Sequence, residues 1–217
     1  MHWRLLDDVN DAELERTLEM ARRRTFDRDE VIFHEGDPAD TLHLIERGRV
    51  AVRVANRHGQ RATLAVLGPG EAFGELALLG PPARRSATVA AIEPVVTQSI
   101  YDADFQRLRS QHPEVAEVLI ALLSEHVRRL SSQLLDALFL PAESRVRKRL
   151  LELTERYPES SGEVVIPLRQ EDLADLAGTS RATVNRVLRE EAGRGTVRLA
   201  RGSTTVLDRD RLSQLIW

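Results

Sequence analysis

Apolar and polar positions change their period three times along the chain. Between Asn10 and about Arg24, Leu14, Leu18 and Ala21 recur at helical spacing, with acids early and arginines late, which predicts an amphipathic helix. From Thr25 the runs become short and many alternate, broken by Gly36-Asp37-Pro38, Gly48, His58-Gly59 and Gly68-Pro69-Gly70. Short strands joined by tight turns carry that signature, and strand material continues to about Tyr101, so a small β-roll or barrel is expected. After Pro113 the period turns helical again. Val115, Leu119, Leu122, Val127, Leu130, Leu134 and Leu138 line one broad face, with no Gly or Pro until Pro141. A helix this long and apolar packs on a partner, either its own β-domain or its twin in a dimer.

Pro141 ends that helix and marks a hinge. Beyond it, "ESRVRKRLLELTERY" is helical, "PESSGE" is a polar loop and "VVIPL" is a short strand. A helix over Gln170–Ala177 then meets Gly178 and a second helix that begins near Ser180, a good N-cap. With Leu173, Leu176, Ala177, Val184, Val187 and Leu188 facing inward, this is helix-turn-helix spacing, and "GTVRLARGSTTVLD" reads as a two-stranded wing. Arg181, Thr183, Asn185 and Arg186 lie at the exposed start of the second helix. These residue types reach guanine edges, thymine methyls and phosphates. Arg169 and Gln170 stand at the mouth of the first helix, where Arg169 suits a phosphate. A helical hairpin with a solvated basic face has the same local pattern, and the context of the whole chain favours DNA.

Composition narrows the classes. At 217 residues, 42% hydrophobic and 30% charged, the chain is long enough for a substantial core and reads as globular. A net charge of −3 argues against a uniformly basic surface but leaves local basic faces open. There is no cysteine, which removes disulfides, thiolate metal sites, iron–sulfur clusters and cysteine nucleophiles together. The N-terminal stretch is acidic and lacks an apolar signal core, and no apolar run spans a bilayer, so no membrane association and a cytoplasmic location are expected.

The stretch "GEAFGELALLGPPARRSATVAA" places Glu75 ten positions before Arg85, with Gly and Pro between. Backbone N–H groups of such a turn, with Arg85 above them, make an anion cradle. Glu75 accepts well from a sugar hydroxyl, and Ser86 donates well to a phosphate oxygen. The same two charges also fit an ion pair that merely closes the loop, and the residues alone leave both readings open.

In its order of parts, the chain resembles the Crp/Fnr family of bacterial transcription regulators over nearly its full length. The resemblance rests on "FGELALL" (Phe73–Leu79) with "RRSATVAA" (Arg84–Ala91), similar to that family's phosphate-binding cassette, and on "SRATVNR" in the recognition helix. It implies an α+β fold: a cyclic-nucleotide-binding β-roll over 1–112, a dimerisation helix over 113–140 and a winged helix-turn-helix over 141–217. It further implies a homodimer on an inverted-repeat operator, contact with RNA polymerase and no prosthetic group. A cyclic nucleotide, cyclic AMP first, becomes the allosteric ligand, held by Gly74, Glu75, Leu76, Arg85 and Ser86. DNA contacts fall to Arg169, Gln170, Ser180, Arg181, Thr183, Asn185 and Arg186.

Two departures bear on these expectations. Cyclic-AMP-responsive members present Thr and Ser or Asn to the adenine from the long helix, and those positions fall here on Leu130 and Ser131. Leu130 donates no hydrogen bond, so Ser131 and Ser132 carry base recognition or it is missing. Ala182 stands where an acid often reads cytosine, so the operator should differ at that step. The oxygen-sensing branch is excluded by the absence of cysteine, and a haem branch lacks a histidine between His58 and His112. His34, His43 and Glu46 are the remaining candidates for a metal-binding β-roll enzyme, without the close His-x-His pairing such sites favour. A structural β-roll that answers to no effector remains the nearer alternative.

Overall fold

The computed structural model describes residues 3–6, 18–80 and 84–216. Its packing groups the chain into two compact units, Met1–Val54 with Leu64–Arg129, and Ala55–Thr63 with Leu130–Trp217.

Up to Tyr101, eight strands run in chain order: β1 (Arg22–Phe26), β2 (Val31–Phe33), β3 (Thr41–Arg47), β4 (Val50–Ala55), β5 (Arg61–Leu67), β6 (Ala72–Phe73), β7 (Thr88–Ala91) and β8 (Val95–Tyr101). They form two four-stranded sheets, ordered β1-β8-β3-β6 and β2-β7-β4-β5. Phe26, Ile45 and Phe73 of the first sheet share a core cluster with Val50, Ala65 and Val89 of the second. β3 is buried on both faces because strand side chains alternate. Ile45 joins that inter-sheet core, while Leu42 and Leu44 join a second cluster with Trp3, Leu5 and Leu6 near the N-terminus. That second cluster also takes Phe105 and Leu108 from helix α1 (Asp102–Gln111), and Val115 and Leu119 from helix α2 (Pro113–Phe139).

The expected helix over Asn10–Arg24 does not hold at its end. Leu18–Met20 are helical, and Leu14 lies outside the described residues. Arg22–Phe26, however, is strand β1, paired antiparallel with β8 from Arg22↔Ser99 to Phe26↔Val95. Four of its five residues are exposed, so the ladder to β8, not an apolar pattern, makes it a strand.

The apolar face of α2 divides along its length. Val115 and Leu119 are buried in the roll's own cluster, and Leu122 packs against it. Val127, Leu130, Leu134, Leu138 and Phe139 are exposed, Phe139 at 75%. No helix among the described residues is long and apolar enough to cross a membrane.

The second unit contains α3 (Ala142–Thr154), strands β9 (Glu159–Ser160) and β10 (Glu163–Ile166), α4 (Gln170–Ala177), α5 (Arg181–Gly193), strands β11 (Val197–Ala200) and β12 (Ser203–Val206), and α6 (Arg209–Gln214). The strands form one sheet, ordered β11-β12-β10-β9. Leu173, Ala177, Val184, Val187 and Leu188 are buried and Leu176 half-buried, as the helix-turn-helix pattern expects. Gly178 caps α4 in the left-handed conformation, φ 58°, which an L side chain adopts only at a penalty. Arg145 staples this corner: Nε donates to Ala177 O (2.9 Å), Nη2 to Gly178 O (3.0 Å) and Nη1 to Leu140 O (2.9 Å). Deeper in, Arg147 Nε donates to Glu191 Oε1 at 2.8 Å. Thr196 Oγ1 donates to the other oxygen of that fully buried carboxylate, also at 2.8 Å.

Candidate ligand pocket and nucleic-acid interface

The cassette begins where β6 stops. Gly74 has φ +92°, and a Cβ there would stand 2.7 Å from Arg85 Nη1 and 3.0 Å from Thr41 O. Any side chain at this position would displace the guanidinium, so glycine here is both a turn residue and the empty half of a seat. The chain then enters a short 3-10 turn, Leu76–Leu78.

Arg85 is fixed from two directions. Its backbone N–H donates to Asp37 O (2.9 Å), and its carbonyl accepts from Gly36 N–H (2.8 Å), which ties it to the turn after β2. Its side chain is only 4% exposed within the roll. Nη1 donates to Thr41 O (2.8 Å) and Gly74 O (3.2 Å), Nη2 donates to Thr41 Oγ1 (2.8 Å), and the plane lies 4.0 Å over the Phe33 ring. Burial pulls its pKa down, opposed by Asp40, Asp37 and Glu75. An arginine keeps its charge under such a shift.

Glu75 is equally hidden, 6% exposed. Burial pushes its carboxyl above the usual range, against the pull of its own backbone N–H, Arg129 and Arg85. Glu75 and Arg85 do not form an ion pair, which sets aside the simple loop-closing reading. Each lines a cavity. Arg85 lines a cavity of about 150 Å³ with Phe33, Asp40, Thr41 and His43. Glu75 lines one of about 30 Å³ with Arg4, Glu71, Leu122 and His126. Leu76 and Ser86 are exposed beside them. Ser131 and Ser132 are exposed on α2 and belong to the second unit.

Sequence reasoning overlooked Thr41 and the place of His43 beside it. The His43 ring is buried, stacked on Phe73 (4.9 Å, 5° between planes), with Nδ1 3.2 Å from Thr97 Oγ1 and Nε2 3.4 Å from Thr41 Oγ1. Desolvation first, then Arg85 and Arg24, lowers its pKa to about 3, so it is neutral at pH 7. Glu46 is paired with Arg23 at 3.0 Å. Among the described residues no group of three or more His, Asp or Glu side chains is arranged to hold a metal ion.

In the second unit, Ser180 caps α5 by accepting from Thr183 N–H at 3.1 Å, and its hydroxyl lies 3.0 Å from that of Thr183. A groove of about 450 Å³ runs between α5 and the β11–β12 wing. Four of the expected DNA residues line it: Arg169, Gln170, Arg181 and Asn185. Asn185 Nδ2 donates to Gln170 Oε1 (3.0 Å), joining the two helices at the groove floor. Arg201 and Thr204 are among the residues that line it from the wing, and the sequence reading named neither. Arg186 is placed differently. It is ion-paired with Glu143 of α3 and with Glu190, the latter at 3.1 Å, so a base must compete with two carboxylates for it.

The description "cyclic nucleotide-binding domain" matches residues 23–112, and "Crp-like helix-turn-helix domain" matches residues 144–215. A cyclic AMP receptor protein of Thermus thermophilus is 36% identical over 203 residues, covering 94% of this chain and 92% of the relative. A CRP-like cAMP-activated global transcriptional regulator of Mycobacterium tuberculosis is 35% identical over 195 residues, covering 87% and 85%. Among solved structures, the catabolite activator protein of Thermus thermophilus aligns with TM-score 0.56 and 34% identity over 98% of each chain. FixK2 from Bradyrhizobium japonicum shares the fold, with TM-score 0.80 and 23% identity, covering 90% of this chain and 96% of that one.

Proposed function

Because the chain belongs to the Crp/Fnr family of transcription regulators, whose members are not enzymes, we propose that it is a DNA-binding regulator switched by a cyclic nucleotide in its β-roll. The observation that carries this reading is Arg85, a buried cation seated by a glycine and opening onto a cavity, unpaired with the carboxylate ten positions before it. A cation taken out of water needs a partner, and a phosphate supplies one. In this reading Arg85 and Ser86 hold the cyclic phosphate beside the turn at Gly74 and Leu76, and Glu75 takes the ribose 2′-hydroxyl. We assign the base to Ser131 and Ser132. Cyclic AMP is the first ligand to test, since two relatives are named for it.

On the output side, Arg181 reads a base edge from the groove, with Thr183 and Asn185 beside it and Ser180 setting the helix start. Arg169 and Gln170 hold the backbone. The exposed apolar face of α2 is the seam of a homodimer on an inverted repeat. The regulator works in the cytoplasm in concert with RNA polymerase.

Calorimetry with cyclic AMP, cyclic GMP and cyclic di-GMP tests the switch, alongside mobility shift on an operator. Arg85→Leu should cut the binding of the active nucleotide by about 100-fold or more, as two charge-assisted hydrogen bonds are lost, and leave the protein folded. Leu130 favours one rival, an effector-independent regulator. It predicts equal operator binding with and without every nucleotide, in wild type and variant alike. Leu134→Asp with Leu138→Asp should convert the dimer to monomer by light scattering; a persistent dimer would put the seam elsewhere.

A further inference from the structure

The bonds around Arg85 select which edge of the guanidinium is left without a partner. Nη1 donates to Thr41 O and to Gly74 O, and Nη2 donates to Thr41 Oγ1. One threonine thus occupies the Nη1/Nη2 end of the fork, through its carbonyl and its hydroxyl together. A guanidinium has five N–H donors in a fixed plane. Those left over are Nε–H and the neighbouring Nη2–H, and Nε is buried with no hydrogen-bond partner. Two parallel donors along one edge match two oxygens of a phosphate. Phe33 covers one face at 4.0 Å, and an anion that takes both donors of this edge lies in the guanidinium plane. Asp40 Oδ1, 3.8 Å from Nη2, is the nearest competing anion, and its side chain is 75% exposed.

Thr41 is itself held from behind. Its hydroxyl donates to Asp40 Oδ1 at 3.2 Å, and His43 Nε2 lies 3.4 Å away. The other ring nitrogen, Nδ1, is 3.2 Å from Thr97 Oγ1 on β8, a fully buried residue. The chain Thr97–His43–Thr41–Arg85 therefore runs from the neighbouring strand to the cation, and its first three members stand on the paired strands β3 and β8.

We propose that Thr41 is a positioning residue for nucleotide recognition, turning the Nε/Nη2 edge of Arg85 toward the phosphate, with His43 and Thr97 holding its hydroxyl in place. This rests on the reading of Arg85 as the phosphate-binding residue and deepens it. Without the hydroxyl, Thr41 keeps only its carbonyl contact to Nη1, and the fork gains freedom to rotate. Both the affinity for a phosphate and its orientation then suffer.

Calorimetry on the full chain tests this, with cyclic AMP, cyclic GMP and the two phosphorothioate diastereomers of cyclic AMP. Each diastereomer replaces one exocyclic phosphate oxygen by sulfur, a poorer acceptor, so a fixed arginine edge distinguishes them. Thr41→Val is isosteric and β-branched, and should weaken binding of the natural nucleotide about 10- to 100-fold, the range for one hydrogen bond to a charged group. It should also narrow the ratio between diastereomers, which a general loss of stability leaves alone. Thr41→Ser restores the hydroxyl and should recover both affinity and ratio; Thr41→Ala is the second removal if the valine protein does not fold. Three results overturn the inference. Wild-type protein that binds no cyclic nucleotide removes the ligand reading and this inference with it. Wild type that binds, with binding lost in Arg85→Leu but affinity and ratio unchanged in Thr41→Val and Thr41→Ala, removes the inference alone. Failure of Thr41→Ser to recover what Thr41→Val lost does so too.

Discussion

The two regions that carry charge for this protein's work treat it in opposite ways. In the cassette, Arg85 and Glu75 are almost wholly withdrawn from water, and three of the arginine's donor contacts go to uncharged oxygens of the protein. On the second helix of the helix-turn-helix, Arg181 and Arg186 stand exposed, and Arg186 is shared between two carboxylates. A buried charge is expensive and its surroundings must answer for it, so its contacts specify a role. Exposed charges stay cheap and interchangeable, and their roles depend on what arrives.

Arg147 sharpens the contrast, because it is a buried cation inside the helix-turn-helix unit. Burial alone would raise its partner Glu191, but hydrogen bonds from Arg147 and Thr196, with Arg194 nearby, hold that carboxyl below its usual range. Arg147→Ala should lose about 3–5 kcal/mol of stability, the usual result of breaking one side of a buried pair, by urea denaturation at pH 7. A loss near that of an exposed arginine would mean that burial is not what separates the two classes.

The next effect is smaller and appears only with DNA present. Arg181→Ala should cost about 1–3 kcal/mol and relax preference at one base position in a selection experiment. Arg169→Ala should weaken all sequences alike. Arg186→Ala should fall below Arg181→Ala, since the wild-type side chain must first leave Glu143 and Glu190; a larger loss at Arg186 would exchange their roles.

The smallest expected effect is a pH slope. His43 has its folded pKa lowered to about 3, whereas the unfolded chain takes up a proton near pH 6.5. Its contribution is complete above that pH and falls as pH drops toward the folded value, by up to about 1.4 kcal/mol per unit. Denaturation series at pH 7 and pH 5 should therefore show a shallower pH dependence for His43→Gln than for wild type. Equal slopes would mean that His43 is not shielded.

What could be read from the sequence was what lies close along it. The turns of the roll announce themselves through Gly36, Gly48 and Gly59, the long helix through its period, and the helix-turn-helix through Gly178 and the apolar residues around it. Arg22–Phe26 misled because a strand held by a distant ladder need not alternate; its partner β8 is some seventy residues away. Gly74, Glu75 and Arg85 were legible as a cassette, but the absence of an ion pair between Glu75 and Arg85 was not. Thr41 and His43 were invisible as parts of that site, since their relation to Arg85 and Thr97 exists only once β3 lies beside β8. Arg145 was one basic residue among several on an amphipathic helix until its three carbonyl partners came together.

That staple has a mechanical consequence. With Arg145 gripping Leu140, Ala177 and Gly178, and with Lys148 and Arg149 holding Asp136 at 2.6 and 3.0 Å, the last turn of α2 is welded to the helices that follow it. The proline corner at Pro141 is then a stiff elbow and not a free joint. A rotation of the last turn of α2 would have to break these bonds or carry α3 and the end of α4 with it.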